Sequence, residues 1–163
     1  MIRGIHHIAV HTANFDRLVK FYKDAFGFAP NAPEATLAPN EALDRIIGVK
    51  GATFRVVLLR AGTCFLEVFG YIAPKGRDGA PLRPHDHGYT HFCVDVVDVV
   101  AECKRLEALG MTFANPEPVT YGDVRTVYGK DPDGNIIEVQ EILQPCIYSI
   151  DPMLGGPPKQ TRA

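Results

Sequence analysis

Two histidines and two glutamates occupy matching places in the two halves of this chain. The segments IHHIAV and YTHFCV set His7 opposite His91, and the segments FLEVFG and IIEVQE set Glu67 opposite Glu138. Imidazole nitrogens combined with carboxylate oxygens suit a borderline divalent ion such as Zn, Ni, Co, Mn or Fe, whereas Ca and Mg prefer oxygen ligands alone. The four residues therefore predict a divalent metal site to which each half contributes one histidine and one glutamate.

The strands around these four residues alternate between polar and apolar positions. Successive side chains of a strand point to opposite faces of the sheet, so the apolar neighbours of the predicted ligands should pack against helices. Those neighbours are Ile8, Leu66, Val68, Phe92, Ile137 and Val139. A lone polar residue in such a strand is commonly a solvated group on an exposed sheet face. Recurrence of the same pair in both halves favours metal ligation over that alternative.

Other side chains near the first pair are candidates for substrate contact. His11 shares a strand face with His7 and is predicted either to contact substrate or to be solvated. Phe69 and Tyr71 lie further along the strand of the first glutamate. They predict an apolar or aromatic substrate, with ordinary core packing as an equal alternative. The first strand is predicted to run from Ile5 to Val10. Within it His6 has the opposite parity to His7 and is predicted to be structural.

The elements that carry these residues follow the same order in both halves. Each half begins with a strand and continues with an amphipathic helix closed by a glycine, Gly27 in the first and Gly110 in the second. Paired strands then complete each half. Residues 73–88 are rich in proline, glycine and charge, which is typical of a linker. The expected organisation is a first module at 1–72 with an insertion near 30–50, the linker at 73–88, a second module at 89–143 and a C-terminal arm at 144–163.

The composition predicts a globular protein that acts on a small molecule. The 163 residues are 46% hydrophobic and 22% charged, with a formal net charge of -2. No run of like charge points to a nucleic acid or a membrane surface as partner, and no apolar stretch is long enough for a transmembrane span. The four cysteines show no C-x-x-C spacing and are interpreted as reduced thiols. A cytoplasmic location is the resulting expectation.

The chain resembles the vicinal oxygen chelate superfamily, which includes glyoxalase I, methylmalonyl-CoA epimerase, extradiol dioxygenases and antibiotic-resistance proteins. The resemblance spans residues 4–142 and rests on HHIAV, FYKDAFGF, FLEVFGY, THFCVDVVDV and DPDGNIIEV. It implies an α+β fold in which two tandem βαβββ modules form a cupped, mixed, mostly antiparallel eight-stranded sheet around a metal. It also implies His7, Glu67, His91 and Glu138 as metal ligands and a homodimer as the assembly.

Glyoxalase-like and epimerase-like members carry a fourth protein ligand, so the resemblance implies a metal-dependent lyase or isomerase. Glu67 or Glu138 would then move a proton on a carbonyl or enediolate substrate. One alternative is an extradiol-type ring-cleaving dioxygenase in which Glu67 is not a ligand, and another is a non-catalytic protein that binds a small molecule such as an antibiotic. Strict glutathione dependence is not expected, because His11 stands where glyoxalase I proteins usually carry an arginine.

Overall fold

Two five-stranded sheets, each with its own principal helix, make up the described part of the chain. The computed structural model describes residues 2, 4–77 and 79–154. It divides into two units, Met1–Gly79 and Ala80–Ala163, and the boundary falls within the segment 73–88. None of the helices in these ranges is both long enough and apolar enough to cross a membrane.

In the first unit, the central strand pairs in parallel on one side and antiparallel on the other. The elements are β1 (His7–His11), α1 (Phe15–Phe26), β2 (Ala29–Pro30), β3 (Ala35–Leu37), α2 (Glu41–Ile47), β4 (Thr53–Ala61) and β5 (Cys64–Ala73). Strand β5 lies between β1, to which it is parallel, and β4, to which it is antiparallel. The short strands β2 and β3 both pair with β4. Strand β3 and helix α2 lie in the insertion predicted near residues 30–50.

The second unit repeats this topology. Its elements are β6 (His91–Asp95), α3 (Val99–Ala108), β7 (Thr112–Phe113), β8 (Val119–Tyr121), β9 (Val124–Lys130), β10 (Ile136–Ile142) and α4 (Asp151–Leu154). Strand β10 lies between the parallel β6 and the antiparallel β9, and the short strands β7 and β8 pair with β9. The C-terminal arm predicted at 144–163 contains α4, and its residues 155–163 lie outside the described residues.

The α+β class and the two tandem modules are confirmed, with a difference in the number of strands. The prediction counted eight strands in one sheet, and the described residues form ten strands in two sheets. The outer strand of each unit is split in two by a proline-containing segment, with Pro33 in the first unit and Pro116 and Pro118 in the second. Proline cannot donate a hydrogen bond to a strand ladder, so it interrupts pairing at these positions.

Helix α1 covers one face of the first sheet because its apolar residues recur at helical spacing. The side chain of Asn14 caps the helix by accepting a hydrogen bond from the Arg17 N–H, and Gly27 closes it with a left-handed φ of 66°. Gly70 on β5 permits close packing, because a Cβ at that position would lie 3.1 Å from the Phe15 side chain. The residues that α1 buries are Phe15, Leu18, Phe21, Tyr22 and Ala25.

Helix α3 is tied to its sheet by a carboxylate from the neighbouring strand. Glu141 on β10 accepts hydrogen bonds from the backbone N–H groups of Asp98 and Val99 at 2.9 and 3.2 Å. These N–H groups lie where a helix begins and have no partner within it. The Asp98 side chain accepts a further bond from the Ala101 N–H. Strand β10 is therefore attached to the start of α3 by side-chain hydrogen bonds.

Each sheet turns one face towards its helix and the other away from it, and we call the latter the helix-distal face. Leu66 and Val68 in the first unit and Ile137 and Val139 in the second are buried on the helix side. Strand alternation and register then assign the opposite face. The helix-distal face carries His7, Ala9, His11, Phe65, Glu67 and Phe69 in the first unit and His91, Cys93, Asp95, Ile136, Glu138 and Gln140 in the second.

Candidate metal centre

The first histidine and glutamate meet across the parallel pair of β1 and β5. In this register His7 lies beside Phe65 and Ala9 lies beside Glu67, so His7 and Glu67 are diagonal neighbours on the helix-distal face. Their side chains reach each other, with 3.3 Å between His7 Nε2 and Glu67 Oε2. Both remain accessible, since 42% of the histidine side chain and 23% of the glutamate side chain are exposed.

The second pair repeats this arrangement in the other unit. His91 lies beside Ile136 and Cys93 lies beside Glu138, which gives the same diagonal offset across β6 and β10. The distance between His91 Nε2 and Glu138 Oε2 is 3.4 Å. The recurrence found in the sequence is therefore also a recurrence of atoms, with the same nitrogen and the same oxygen facing each other in both units.

The separation within each pair fits two ligands of one divalent ion. Imidazole nitrogen and carboxylate oxygen each bind zinc at about 2.0–2.2 Å, so two such atoms at a near-tetrahedral angle stand roughly 3.3–3.6 Å apart. A direct N–H···O hydrogen bond is usually shorter, at about 2.9–3.0 Å. Across residues 2, 4–77 and 79–154, however, no group of three or more His, Cys, Asp or Glu side chains is arranged to hold a metal. The structure thus brings the four predicted ligands together as two pairs.

Polar side chains of β9 surround the second pair. The Thr126 hydroxyl donates a hydrogen bond of 2.7 Å to Glu138 Oε1, and the Tyr128 hydroxyl lies 3.3 Å from His91 Nε2. The pKa of Tyr128 is raised by burial and by the nearby charge of Glu138. Burial and the same carboxylate raise the pKa of Cys93 to about 12. At neutral pH both groups consequently remain protonated beside the His91–Glu138 pair.

Apolar side chains occupy the equivalent positions around the first pair. Leu58 lies opposite Glu67, as Tyr128 lies opposite Glu138. Val56 and Ala9 correspond in the same way to Thr126 and Cys93, since their strand registers match. We call the His7–Glu67 pair with its neighbours the first half-site and the His91–Glu138 pair with its neighbours the second half-site. Both half-sites contain a histidine and a glutamate, but they differ in the side chains that surround this pair.

The three residues predicted to bind substrate lie together on the first sheet. His11 Nε2 accepts a hydrogen bond of 3.3 Å from the Tyr71 N–H, and the two rings meet edge to face with centroids 5.2 Å apart. Phe69 stacks on Tyr71 at 5.9 Å, and Phe54 contacts both aromatic rings. Contact of His11, Phe69 and Tyr71 with a substrate stays a prediction.

The ring of His6 lies next to His7, whereas strand parity predicted that it would point to the opposite face of the sheet. Its Nδ1 is 2.9 Å from His7 Nδ1, and its ring contacts Phe65, which is on the helix-distal face. The prediction extended β1 back to Ile5, whereas the strand begins at His7. Alternation of faces applies only within a strand, so it does not fix the direction of the His6 side chain.

Sequence reasoning also missed Thr126, Tyr128 and Cys93 as neighbours of the second pair. The signal that could have found the first two is the segment DPDGN, whose residue types are typical of a tight turn and which lies between β9 and β10. Lys130 pairs with Ile136 across this turn, and counting outward in steps of two reaches Tyr128 opposite Glu138. All four cysteines are free, in agreement with the prediction of reduced thiols.

Comparisons with known proteins identify relatives over most of the chain. The chain is 38% identical over 52 residues to a lactoylglutathione lyase of Pseudomonas aeruginosa, a match that covers 32% of this chain and only 28% of that protein. It is 26% identical over 140 residues to the uncharacterized protein YaeR of Escherichia coli, which covers 86% of this chain and 97% of that protein.

A solved structure has the same fold. The glyoxalase family protein APC24694 from Bacillus cereus superposes with a TM-score of 0.79 at 18% identity, over 88% of this chain and 97% of that one. A sequence model of the Glyoxalase/Bleomycin resistance protein/Dioxygenase superfamily matches residues 4–139. The family resemblance found in the motifs is thereby confirmed, and the chain belongs to the Glyoxalase/Bleomycin resistance protein/Dioxygenase superfamily.

Proposed function

We propose that this chain is a metal-dependent lyase or isomerase that transfers a proton on a carbonyl or enediolate substrate. Its proposed ligands for a divalent ion (Zn, Ni, Co, Mn or Fe) are His7, Glu67, His91 and Glu138. The observation that carries the proposal is the repeated pair of Nε2 and Oε2 atoms, 3.3 Å apart in one unit and 3.4 Å apart in the other. Family membership and the match to a lactoylglutathione lyase support this class of reaction.

The residues of the two half-sites have distinct parts in such a reaction. A divalent ion bound there would polarise a carbonyl oxygen and stabilise the negative charge that develops when the adjacent carbon loses its proton. Glu67 or Glu138 is the proposed general base, which takes this proton and returns it to the neighbouring carbon. Thr126 restrains Glu138 by its hydrogen bond to Oε1. The protonated Tyr128 hydroxyl, near His91, is able to donate a hydrogen bond to a substrate oxygen.

The position of Glu67 favours this proposal over a ring-cleaving dioxygenase. Dioxygenases of the two-histidine, one-carboxylate type leave adjacent metal positions open for their substrates. Glu67 faces His7 and remains 23% exposed, so it is available as a fourth ligand. A protein that only binds a small molecule gives no reason to keep a histidine and a glutamate at matching distances in both units.

The surroundings of the first pair support an apolar or aromatic substrate. His11, Phe69 and Tyr71 are the proposed contacts, and they adjoin the His7–Glu67 pair on the same sheet face. We propose that this substrate is not strictly a glutathione adduct, because His11 replaces the arginine expected in glyoxalase I proteins. A homodimer in the cytoplasm is the proposed form in which the enzyme acts.

Metal analysis tests the proposal directly. The protein would be purified without chelators, loaded with Zn, Co, Ni, Mn or Fe(II) and analysed for bound metal by mass spectrometry. We expect one ion per chain, and we expect Glu67→Gln and Glu138→Gln to bind it more weakly. Glu107→Gln, at an exposed position of α3, is the matched control and should bind the ion as the wild type does.

The outcomes separate the alternatives. Absence of stoichiometric metal under all loading conditions would refute the proposed centre, and two ions per chain would show that each His–Glu pair binds its own ion. Retention of iron by Glu67→Gln, together with oxygen consumption in the presence of catechols, would establish the dioxygenase instead. Proton exchange from deuterated water into the hemithioacetal that an aryl α-ketoaldehyde forms with a thiol, followed by NMR, should occur with the wild type and be lost in the two glutamine variants.

A further inference from the structure

The residue before each histidine of the two half-sites contacts its ring. His6 Nδ1 lies 2.9 Å from His7 Nδ1, and Thr90 Oγ1 lies 2.9 Å from His91 Nδ1. We propose that His6 and Thr90 are positioning residues that each accept a hydrogen bond from the Nδ1–H of the following histidine and so present its Nε2 to the metal. This inference rests on the proposed function, and it names residues outside the four ligands.

The direction of both hydrogen bonds follows from the atoms on the other side of each ring. In both units Nε2 is the nitrogen that faces a carboxylate oxygen, at 3.3 Å for His7 and 3.4 Å for His91. A neutral imidazole carries one N–H, so a ring whose Nε2 lone pair binds a cation must carry its proton on Nδ1. The atom next to Nδ1 then has to accept. Both an imidazole nitrogen and a threonine hydroxyl can do so.

The surroundings of His91 agree with this tautomer. The Tyr128 hydroxyl is 3.3 Å from His91 Nε2, and a tyrosine hydroxyl carries its proton at neutral pH. A phenol that keeps its proton can donate to a nitrogen lone pair. His91 Nε2 therefore faces a donor, the Tyr128 hydroxyl, as well as the Glu138 carboxylate with which it would share the ion, whereas Nδ1 has the Thr90 hydroxyl beside it.

The same placement in both units explains how adjacent residues can interact. Inside a strand, neighbouring side chains point to opposite faces and cannot reach each other. His6 and Thr90 each lie immediately before a strand, because β1 begins at His7 and β6 begins at His91. Outside the pleat the preceding side chain is free to turn towards the histidine ring. In each half-site the strand therefore begins at the proposed histidine ligand. The residue before that histidine is available as a hydrogen-bond partner for its ring.

His6 is itself held in place by the neighbouring strand. Its carbonyl oxygen accepts a hydrogen bond of 2.9 Å from the Phe65 N–H, and its ring lies 5.2 Å from the Phe65 ring. Thr90 has a short side chain with one rotatable bond to its hydroxyl and is half-buried. His6 is therefore restrained independently of the histidine that it contacts, and the Thr90 hydroxyl has only a few rotamers to choose from. Partners of this kind fix the orientation of ligating histidines and raise metal affinity in other proteins.

Metal affinity in paired variants tests the inference. Thr90→Val removes the acceptor while keeping the shape, and Thr90→Ser restores a hydroxyl. His6→Phe keeps a ring against Phe65 without an acceptor, and His6→Asn places an oxygen at the position of Nδ1. Competition with a colorimetric chelator for Zn²⁺ and Co²⁺ should show a loss of about 10- to 100-fold for the valine and phenylalanine variants. The serine and asparagine variants should retain most of the wild-type affinity.

A second measurement is independent of bound metal. Long-range proton–nitrogen NMR spectra of ¹⁵N-histidine protein report which ring nitrogen carries the proton. In the metal-free protein the carboxylate facing Nε2 and the acceptor beside Nδ1 compete for the single ring proton. We therefore expect a detectable Nδ1–H fraction for His7 and His91 in the wild type, and a smaller Nδ1–H fraction at His91 in Thr90→Val and at His7 in His6→Phe. Circular dichroism establishes that each variant is folded, and Thr90→Ala replaces Thr90→Val if the latter is not.

The two proposals can fail separately. If the wild type binds no divalent ion, the proposed function fails, while the tautomers of the metal-free protein still decide the role of His6 and Thr90. If the wild type binds an ion and all four variants bind it equally, with unchanged tautomers, the positioning role is wrong and the proposed function stands. Equal loss of affinity in the valine and serine variants would also overturn it, because the hydroxyl would then be irrelevant.

Discussion

Replacing Asp131 by alanine should destabilise the turn that joins β9 to β10. The Asp131 side chain is only 3% exposed. Its Oδ1 accepts hydrogen bonds from the backbone N–H groups of Asp133 and Asn135, and its Oδ2 accepts one from Asn135 Nδ2, all at 2.9 Å. The turn holds the register in which Glu138 lies opposite Tyr128. Loss of this carboxylate therefore affects both stability and the second half-site.

The expected cost can be worked out from these three bonds. A hydrogen bond to a charged group contributes about 1.5–3 kcal/mol, but three bonds that share one carboxylate are not additive and the released N–H groups regain some water, so we expect a loss of about 3 kcal/mol. That corresponds to a fall in melting temperature of roughly 6–12 °C for a chain of this size. Asp131→Asn should lose about half as much, because its oxygen can keep the two backbone bonds and only the bond from Asn135 Nδ2 is lost.

Urea unfolding followed by circular dichroism measures the effect, and Asp24→Ala is the matched control. Asp24 is an exposed carboxylate that forms a surface ion pair with Lys20. Such a pair contributes at most about 0.5 kcal/mol. Equal shifts for the two alanine variants would show that the Asp131 carboxylate does not hold the turn. Metal affinity, measured in parallel, should fall in Asp131→Ala and be unchanged in Asp24→Ala.

Three further substitutions have effects that the contacts predict. Glu141→Ala should destabilise the protein by about 1–2 kcal/mol in urea, because it removes the acceptor for two N–H groups at the start of α3; a change below the error of the method would contradict this. The hydrogen bond from Arg55 lowers the pKa of Asp16, so this pairing stabilises the fold above about pH 4 and is lost as the pH falls through the lowered pKa. The difference in melting temperature between the wild type and Arg55→Gln should therefore shrink from pH 6 to pH 3, and a constant difference would argue against the pairing. Gly129→Ala would bring a Cβ within 2.5 Å of Met111 Cε and 2.7 Å of the Phe113 ring and should cost about 1–3 kcal/mol, whereas a neutral result would mean that both side chains move aside freely.

The repeat in the sequence was sufficient to find the two His–Glu pairs, because both depend on backbone register. A strand that starts at a histidine and a parallel neighbour that carries a glutamate bring the two side chains together whatever surrounds them. Helix boundaries were predictable for a similar local reason. Asn14 and Gly27 satisfy the ends of α1 with bonds inside a few residues of sequence. Local interactions of this kind can be predicted from a single amino-acid sequence.

The surroundings of the half-sites could not be read in the same way. Thr126 and Tyr128 reach Glu138 and His91 only after β9 and β10 have paired, and their strand offers no motif that marks them as site residues. The ring of His6 was assigned to the wrong face because the prediction placed the start of β1 two residues too early. Side chains alternate between the two sheet faces only inside a strand. Because β1 begins at His7, this alternation does not apply to His6.

The two half-sites show which features a repeated module must keep and which it can change. The 3.3 and 3.4 Å separations depend on strand register and on two side chains, so any copy of the module with a histidine and a glutamate at these positions reproduces them. The neighbouring positions on the adjacent strand contribute no backbone constraint to the pair. Leu58 can therefore stand where the other unit has Tyr128 without altering either distance. On the strand that lies opposite the glutamate, the second half-site carries hydroxyl groups at Thr126 and Tyr128, whereas the first carries apolar side chains at Val56 and Leu58.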